Sequence, residues 1–223
     1  KTPVGAVSLL AEAIDAAADD PVQVRKFTAR LAAEAQRLAG LTSRIMDLSR
    51  VQAAEELTTA GPVSIDEVIT TSLEAHVVQA ESAEVELVRG GQRSAQVVGD
   101  VQMLTEAVSN LIANAIAYSP VGAHVGVGVR TIDGIVEIAV TDQGIGIAEA
   151  DQQRIFERFY RADQARSRRT GGTGLGLAIV KHVAQRHDGE VRVWSQPGRG
   201  STFTLRIPEG GPATPPQNRS NLS

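Results

Sequence analysis

The sequence has no cysteine, which excludes disulfides and thiolate metal sites and leaves the compartment open. Aromatic residues are only 3% of the 223, so the core must be aliphatic. No apolar run approaches the ~20 residues that a helix needs to cross a bilayer, and no signal peptide is visible. Positive charge is not in excess either: the formal net charge is −4, which argues against a general nucleic-acid binder. There is no initiating Met; the chain opens on Lys1 and is expected to be a fragment. What is present is ordinary for a soluble globular protein, with 42% hydrophobic and 22% charged residues, and the length suits one large domain or two small ones.

Residues 1–57 are rich in Ala, Leu, Arg and Glu, as long helices are. Lys1 to about Ala17 reads as the end of one helix. A second starts near Pro21, a residue favoured in a first helical turn. Val24, Phe27, Leu31, Leu38, Leu41, Ile45 and Leu48 alternate in steps of three and four, with Glu34 the one polar interruption, which is a heptad seam. A hairpin of two helices buries such a seam poorly alone, and two copies side by side make a four-helix bundle. A homodimer through residues 1–57 is therefore expected; the alternative is a hairpin packed on the second domain.

Residues 58–64, TTAGPVS, read as a linker. Residues 65–208 read as a second domain. Ile65 to about Ala80 and Val101 to about Ala117 are expected helices, and a third follows GGTGLGLAIV as far as Arg186. Strands are expected at Val85–Arg89, Ala95–Asp100, His124–Thr131, Ile135–Asp142, Glu190–Ser195 and Ser201–Pro208. The mixture, with hairpins such as the one around Asp133-Gly134, predicts an α+β sandwich with helices on one face of the sheet. Residues 209–223 are rich in Pro and Gly and are expected to be disordered.

Three stretches carry chemistry. In GGTGLGLAIV, Gly171 to Val180, four glycines stand directly before a helix. Glycine admits a close backbone approach, and a helix N-terminus offers free N–H groups, so a phosphate site is one reading and a plain Gly-rich turn the other. In NLIANAIAYSP, Asn110, Asn114 and Tyr118 fall four apart on one helix face, with Leu111, Ile112, Ala115 and Ile116 opposite. A carboxamide oxygen is a hard ligand suited to Mg²⁺, although such amides also bridge backbone. In VTDQGIGI, Asp142 ends a strand ahead of Gly144 and Gly146. There a carboxylate can accept a hydrogen bond from the exocyclic amine of a base, or simply close an Asx turn. An arginine-rich run follows, Arg158, Arg161, Arg166, Arg168 and Arg169, either a solvated face or a lid that gathers on a polyphosphate.

Together these stretches resemble the boxes of bacterial two-component sensor histidine kinases, in the ATPase superfamily of type II topoisomerases, mismatch-repair ATPases and a heat-shock chaperone. NLIANAIAYS resembles the N box, DQGIGI the G1 box, RIFERFYRA the F box and GGTGLGLAIVK the G2 box, in the family's order and over nearly the whole chain. The wording is most similar to actinobacterial phosphate-responsive sensor kinases. The resemblance implies an ATP-binding domain whose cofactors are ATP and Mg²⁺. Asn114 would hold Mg²⁺ with Asn110 in support, and Asp142 would read the adenine amine. Gly144 and Gly146 would floor the base pocket, with Tyr118 against the nucleotide. Phe156 and Phe159 would anchor the lid. Arg158 and Arg161 would reach the phosphates, which the Gly172, Thr173, Gly174, Leu175, Gly176 run would cradle. The partner implied is a response-regulator receiver domain that takes the phosphoryl group on Asp, with no direct nucleic acid. The parent implied is membrane-anchored through upstream segments, with this stretch on the cytoplasmic side.

Two departures from the family pattern stand out. The N box usually carries Lys or Arg before its aromatic, and this chain has Ala117. The family's H box ends in Lys-Thr-Pro, so Lys1, Thr2 and Pro3 resemble its end and the phosphoacceptor His would lie just upstream, absent from this chain. The four histidines present, His76, His124, His182 and His187, match none of that motif and read as surface or helix-end residues. Thr2 would occupy the position that serves dephosphorylation of the response regulator. Rival readings are a nucleotide-binding module without chemistry, and a hydrolysing clamp that would use Glu106 as general base.

Overall fold

The computed structural model describes residues 3–34, 60–162 and 174–210. The chain divides into two compact units, Lys1–Ala53 and Ala54–Ser223. Leu38, Leu41, Ile45 and Leu48 of the expected seam and residues 211–223 of the expected tail lie outside the described residues.

In the first unit, α1 spans Pro3–Ala16, and a helix α2 occupies residues 21–34. Asp20 starts α2: its Oδ1 accepts from the backbone N–H groups of Val22 and Gln23 at 3.0 and 3.2 Å, which satisfies donors that a helix start leaves open. Val24, Phe27, Leu31 and Glu34 are half-buried while the positions between them are exposed. No described residue of these two helices whose burial is defined is fully buried.

The second unit holds a five-stranded sheet in the order β2-β4-β5-β7-β6 and a two-stranded sheet of β1 and β3. The strands are β1 Gly61–Ser64, β2 Glu86–Arg89, β3 Gln96–Gly99, β4 His124–Ile132, β5 Ile135–Thr141, β6 Glu190–Gln196 and β7 Gly200–Pro208. The β2–β4 pair is parallel and the other pairs are antiparallel. The helices are α3 Ile65–Glu74, α4 Val77–Ser82, α5 Val101–Tyr118, α6 Glu149–Gln152 and α7 Gly176–Arg186, with a 3₁₀ turn at Arg154–Phe156.

Two expectations are corrected here. Residues 61–64 are not linker but β1, paired antiparallel with β3 from Gly61↔Gly99 to Ser64↔Gln96. Pro62 cannot donate to a ladder, and it is tolerated in this short sheet, where a strand has an open side. The helix expected from Ile65 to Ala80 breaks into α3 and α4 around His76. There the His76 N–H turns back to the Leu73 carbonyl at 3.0 Å and the His76 Nδ1 bonds the Ser72 carbonyl at 2.8 Å.

Period-two burial marks the strands. Val125, Val127 and Val129 of β4, Val136, Ile138 and Val140 of β5, and Phe203, Leu205 and Ile207 of β7 all point to the interior. Leu104, Val108, Leu111, Ile112 and Ile116 of α5 meet them, with Ile65, Val68 and Ile69 of α3 and Ile179, Val180 and Val183 of α7. The core is aliphatic apart from Phe203 and His187 among its large buried rings. Each such aliphatic side chain contributes about 1.5–3 kcal/mol of burial. Asp100 caps α5, its Oδ1 accepting from Gln102 and Met103 N–H at 2.8 and 3.0 Å, which fixes where the helix carrying Asn110 and Asn114 begins.

Candidate functional site

Asp142 follows directly on β5. Its N–H donates to the Ser201 carbonyl at 2.8 Å, and its Oδ1 accepts from the N–H groups of Gly144 at 2.8 Å and Ser201 at 3.1 Å. The bond to Gly144 is the Asx turn weighed for this residue. The side chain is also 6% exposed and lines a cavity, so the turn aims the carboxylate rather than consuming it. Burial pushes its pKa above the ordinary carboxylate value, against the opposing pull of the hydrogen bonds from Gly144 and Ser201.

The cavity holds about 850 Å³ of empty space, its open mouth included. Asn114, Tyr118, Asp142, Gly146, Arg161, Gly174 and Gly176 line it, and these are residues that the sequence singles out. Ile145, Ile147, Ile155 and Phe203 give it an apolar wall beside the buried carboxylate, suited to a planar base. Leu177 belongs to the first turn of α7, which has no side-chain cap. That end therefore turns backbone N–H groups and the positive pole of the helix toward the cavity.

Several expected residues sit elsewhere. Asn110 does not line the cavity: its Nδ2 donates to the Glu106 carbonyl at 2.9 Å, and its Oδ1 packs on Gly176. It holds α5 against the start of α7, a supporting place one layer back. A Cβ on Gly176 would come within 2.8 Å of that oxygen, so any larger residue there would make the Asn110 amide turn aside. Gly144 is packed on the Tyr118 carbonyl, behind the wall. Gly146 has φ +68°, and a Cβ there would run into the Gln196 carbonyl. Leu175 is buried and off the lining, Arg158 is exposed and off it, and Glu106, the candidate base of the clamp reading, is also off it. Thr2, Gly172, Thr173, Arg166, Arg168 and Arg169 lie outside the described residues.

Phe159 and Gly174 are tied together by backbone. Phe159 N–H donates to the Gly174 carbonyl at 2.9 Å. Phe159 has φ +65° and is 59% exposed, so its tie to Gly174 runs through the main chain and not through its side chain. The Phe156 ring packs edge-on against Phe203, with ring centres 6.4 Å apart. Tyr160, which sequence reasoning passed over, lines the cavity. Its hydroxyl donates to Asp151 Oδ1 at 2.5 Å, and the Arg154 guanidinium lies 4.2 Å from its ring centre. The α6 turn and the 3₁₀ turn that supply these partners are too short to show a period in the sequence.

His187 is also a finding of the structure. It stands at the end of α7, as expected of a helix-end residue, but it is fully buried. Its Nδ1 bonds the Val183 carbonyl at 2.8 Å and its Nε2 accepts the Asp100 N–H at 3.0 Å. The ring is thus neutral with the proton on Nδ1, and burial holds its pKa below the ordinary histidine value.

A buried carboxylate beside an apolar wall, an asparagine in the same lining and a helix start without a side-chain cap thus meet at one cavity of this α/β sandwich. Residues 99–211 match the family described as histidine kinase-, DNA gyrase B- and HSP90-like ATPase, and the chain belongs to that family. The sensor-like histidine kinase SenX3 of Mycolicibacterium smegmatis is 53% identical over 209 residues, 94% of this chain and 54% of that protein. The chain thus spans about half the length of the curated relatives it matches. Among solved structures, the mycobacterial sensor histidine kinase MprB has 38% identity and a TM-score of 0.59 over 69% of this chain and 98% of that one. Full-length ShkA in complex with AMPPNP has 26% identity and a TM-score of 0.71 over 86% of this chain and 40% of that one.

Proposed function

We propose that this chain is the catalytic core of a sensor histidine kinase: it binds ATP with Mg²⁺ and passes the γ-phosphoryl group to a histidine, from which it moves to an Asp of a response regulator. The observation that carries the reading is the buried Asp142 carboxylate, 6% exposed and held by two backbone N–H groups at the base-sized end of the cavity. It accepts the adenine amine. Tyr118 and the isoleucines hold the base, and Gly174, Gly176 and Arg161 face the phosphates.

The donor set suits Mg²⁺ shared with phosphate. Asn114 brings a carboxamide to the cavity, and no group of three or more His, Cys, Asp or Glu among the described residues forms a metal cage of its own. When bound, the ion supplies charge neutralisation on the phosphates. This chain's residues contribute position and exclusion of water, which is most of what phosphoryl transfer asks of a protein. With Ala117 where the family carries a cation, Arg161 is the described cation at the cavity.

The helical unit is read as the dimerisation region. The half-buried series Val24, Phe27, Leu31 and Glu34 supports this, since a second copy would cover it. Residues 1–57 would also receive the response regulator, with Thr2 as a possible participant in its dephosphorylation. The described residues contain no helix long and apolar enough to cross a membrane; membrane attachment of the parent is proposed through segments upstream.

The test is γ-labelled ATP offered to this chain and to a version with His-Glu-Leu placed ahead of Lys1. Label on the extended chain alone is expected. Label on neither, with Mg·ADP still bound, contradicts the kinase reading in favour of a binding module. Label on both contradicts the placing of the acceptor before Lys1.

A further inference from the structure

Gln152 of α6 does not line the cavity, yet it bonds the loop that does. That loop leaves Asp142 and carries Ile145, Gly146 and Ile147 to the lining. Its main chain is pinned at three points. The Ile145 carbonyl accepts from the Gly198 N–H at 2.7 Å, the Ile147 N–H donates to Ser195 Oγ at 2.8 Å, and the Ile147 carbonyl accepts from Gln152 Nε2 at 3.1 Å. Gly198 and Ser195 belong to the β6–β7 hairpin, so the tie from Gln152 is the one of the three that comes from another element. The same Nε2 donates to the Ser195 carbonyl at 3.0 Å. Both amide hydrogens are thus engaged, and the two acceptors fix which way the amide is turned.

The preceding residue acts on another part of the lining. Asp151 accepts from the Tyr160 hydroxyl at 2.5 Å, and Tyr160 lines the cavity. Four-residue α6 therefore holds the apolar loop through one side chain and the aromatic through the next. A helix that short, without a side-chain cap, has little stability of its own. Its seat is made by the bonds of Gln152 to Ile147 and Ser195. The Asp142 carboxylate is fixed independently, by the N–H groups of Gly144 and Ser201. Loss of Gln152 therefore frees the wall and leaves the carboxylate in place.

We propose that Gln152 is a positioning residue for purine selection: its amide sets the apolar loop of Ile145 and Ile147, and the α6 turn that holds Tyr160, at the spacing a two-ring base fills. Gln152 touches no ligand; it acts through Ile147 and through the seat of α6. This inference rests on the reading that the cavity takes adenine, and it divides the recognition in two. Asp142 reads the amine, and Gln152 keeps the wall that measures the ring.

The test titrates ATP and CTP, each with Mg²⁺, into the 223-residue chain and its variants. CTP also offers an exocyclic amine but has one ring fewer. Wild type is expected to prefer ATP by about tenfold or more, the scale of one well-packed ring. Gln152→Met keeps the length of the side chain and removes both donors. There ATP affinity is expected to fall about fivefold or more and CTP affinity less than about twofold, so the preference narrows. Gln152→Glu has no donor while ionised, and its carboxyl regains one O–H as pH falls from about 8 to about 5.5, favoured by the two carbonyls it faces. Its ATP-over-CTP ratio is taken relative to wild type at the same pH, which cancels the titration of Asp142 and of the nucleotides. That relative ratio is expected to rise as pH falls, and this series decides alone if Gln152→Met does not fold. Equal losses for the two nucleotides make Gln152 a structural brace, and an intact preference makes it silent. A flat ratio in Gln152→Glu denies the donor its part. Each of these overturns the inference, as does a wild type with no preference. Unchanged ATP affinity in Asp142→Asn overturns the reading beneath it instead, which keeps the two failures apart.

Discussion

His187 Nε2 accepts the backbone N–H of Asp100 at 3.0 Å, tying the end of α7 to the start of α5. These two helices carry Gly176 and Asn114 to the cavity, so a buried ring outside the cavity lining ties together the elements that bear them. Its neighbour Gly99 must be glycine, because a Cβ there would strike the imidazole.

The neutral ring makes stability depend on pH. Burial lowers the His187 pKa below 6.5, and Arg186 lowers it further, while the Val183 carbonyl, Asp100 and Asp188 oppose this. Between the lowered value and about 6.5 the unfolded chain binds more protons, so stability is full above that window and falls as pH drops through it. His182 is lowered in the same direction by burial, Arg186 and Arg158, so the comparison must isolate one ring. Urea midpoints for wild type and His187→Gln should diverge above pH 6.5 and converge below it. His187→Ala should cost about 2–4 kcal/mol at pH 8 through the cavity and the orphaned N–H.

Asp142 is a charge whose burial works against stability. Its raised pKa means that its extra stability is present below the ordinary value of 3.8 and is lost as pH rises through the shifted value. At neutral pH the buried charge is a net cost. Asp142→Asn keeps an acceptor for the Gly144 and Ser201 N–H groups and removes that charge. Its thermal midpoint at pH 7.5 should equal or exceed that of wild type.

Gly146 and Gly176 should differ in severity. Gly146→Ala places a side chain at φ +68° against the rigid Gln196 carbonyl, and a loss of about 2–3 kcal/mol is expected. Gly176→Ala meets only the Asn110 side-chain oxygen, which can turn aside. A smaller loss of about 1 kcal/mol, with weaker nucleotide binding, is expected from calorimetry and denaturation.

The bond from Tyr160 to Asp151 can be read by titration. Asp151 accepting its proton holds the Tyr160 pKa above the ordinary 10, with burial adding to this and Arg154 opposing. The phenolate absorbance lost in Tyr160→Phe should have its midpoint above 10 in wild type and move down in Asp151→Asn. Nucleotide affinity should weaken in both variants, because Tyr160 is a wall of the cavity.

Much of the cavity lining was legible because its residues are punctuated by glycine or placed on a strong period. The i, i+4, i+8 series Asn110, Asn114 and Tyr118 falls on the less buried side of α5, and Asp142 stands where a strand ends before two glycines. The α+β sandwich with its helices against one sheet face follows from runs with clear apolar alternation. What was not legible depends on partners distant in sequence. β1 is a strand because β3 lies beside it, and nothing in GPVS alone separates strand from linker. The burial of His187 is decided 87 positions away, at Asp100. Ser195 reads as one polar residue in an alternating strand, and its meaning comes from Ile147 and Ser201. Asn110 has the spacing of a ligand, yet its amide turns back to Glu106, a choice that α5 and the close approach of α7 make together.

The most direct measurement is a calorimetric titration of ATP with Mg²⁺ into wild type and Asp142→Asn. Saturable binding to wild type, weakened at least about tenfold in a variant that remains folded, is the result predicted here. Equal affinity in the two proteins would contradict the claim that this carboxylate reads the base.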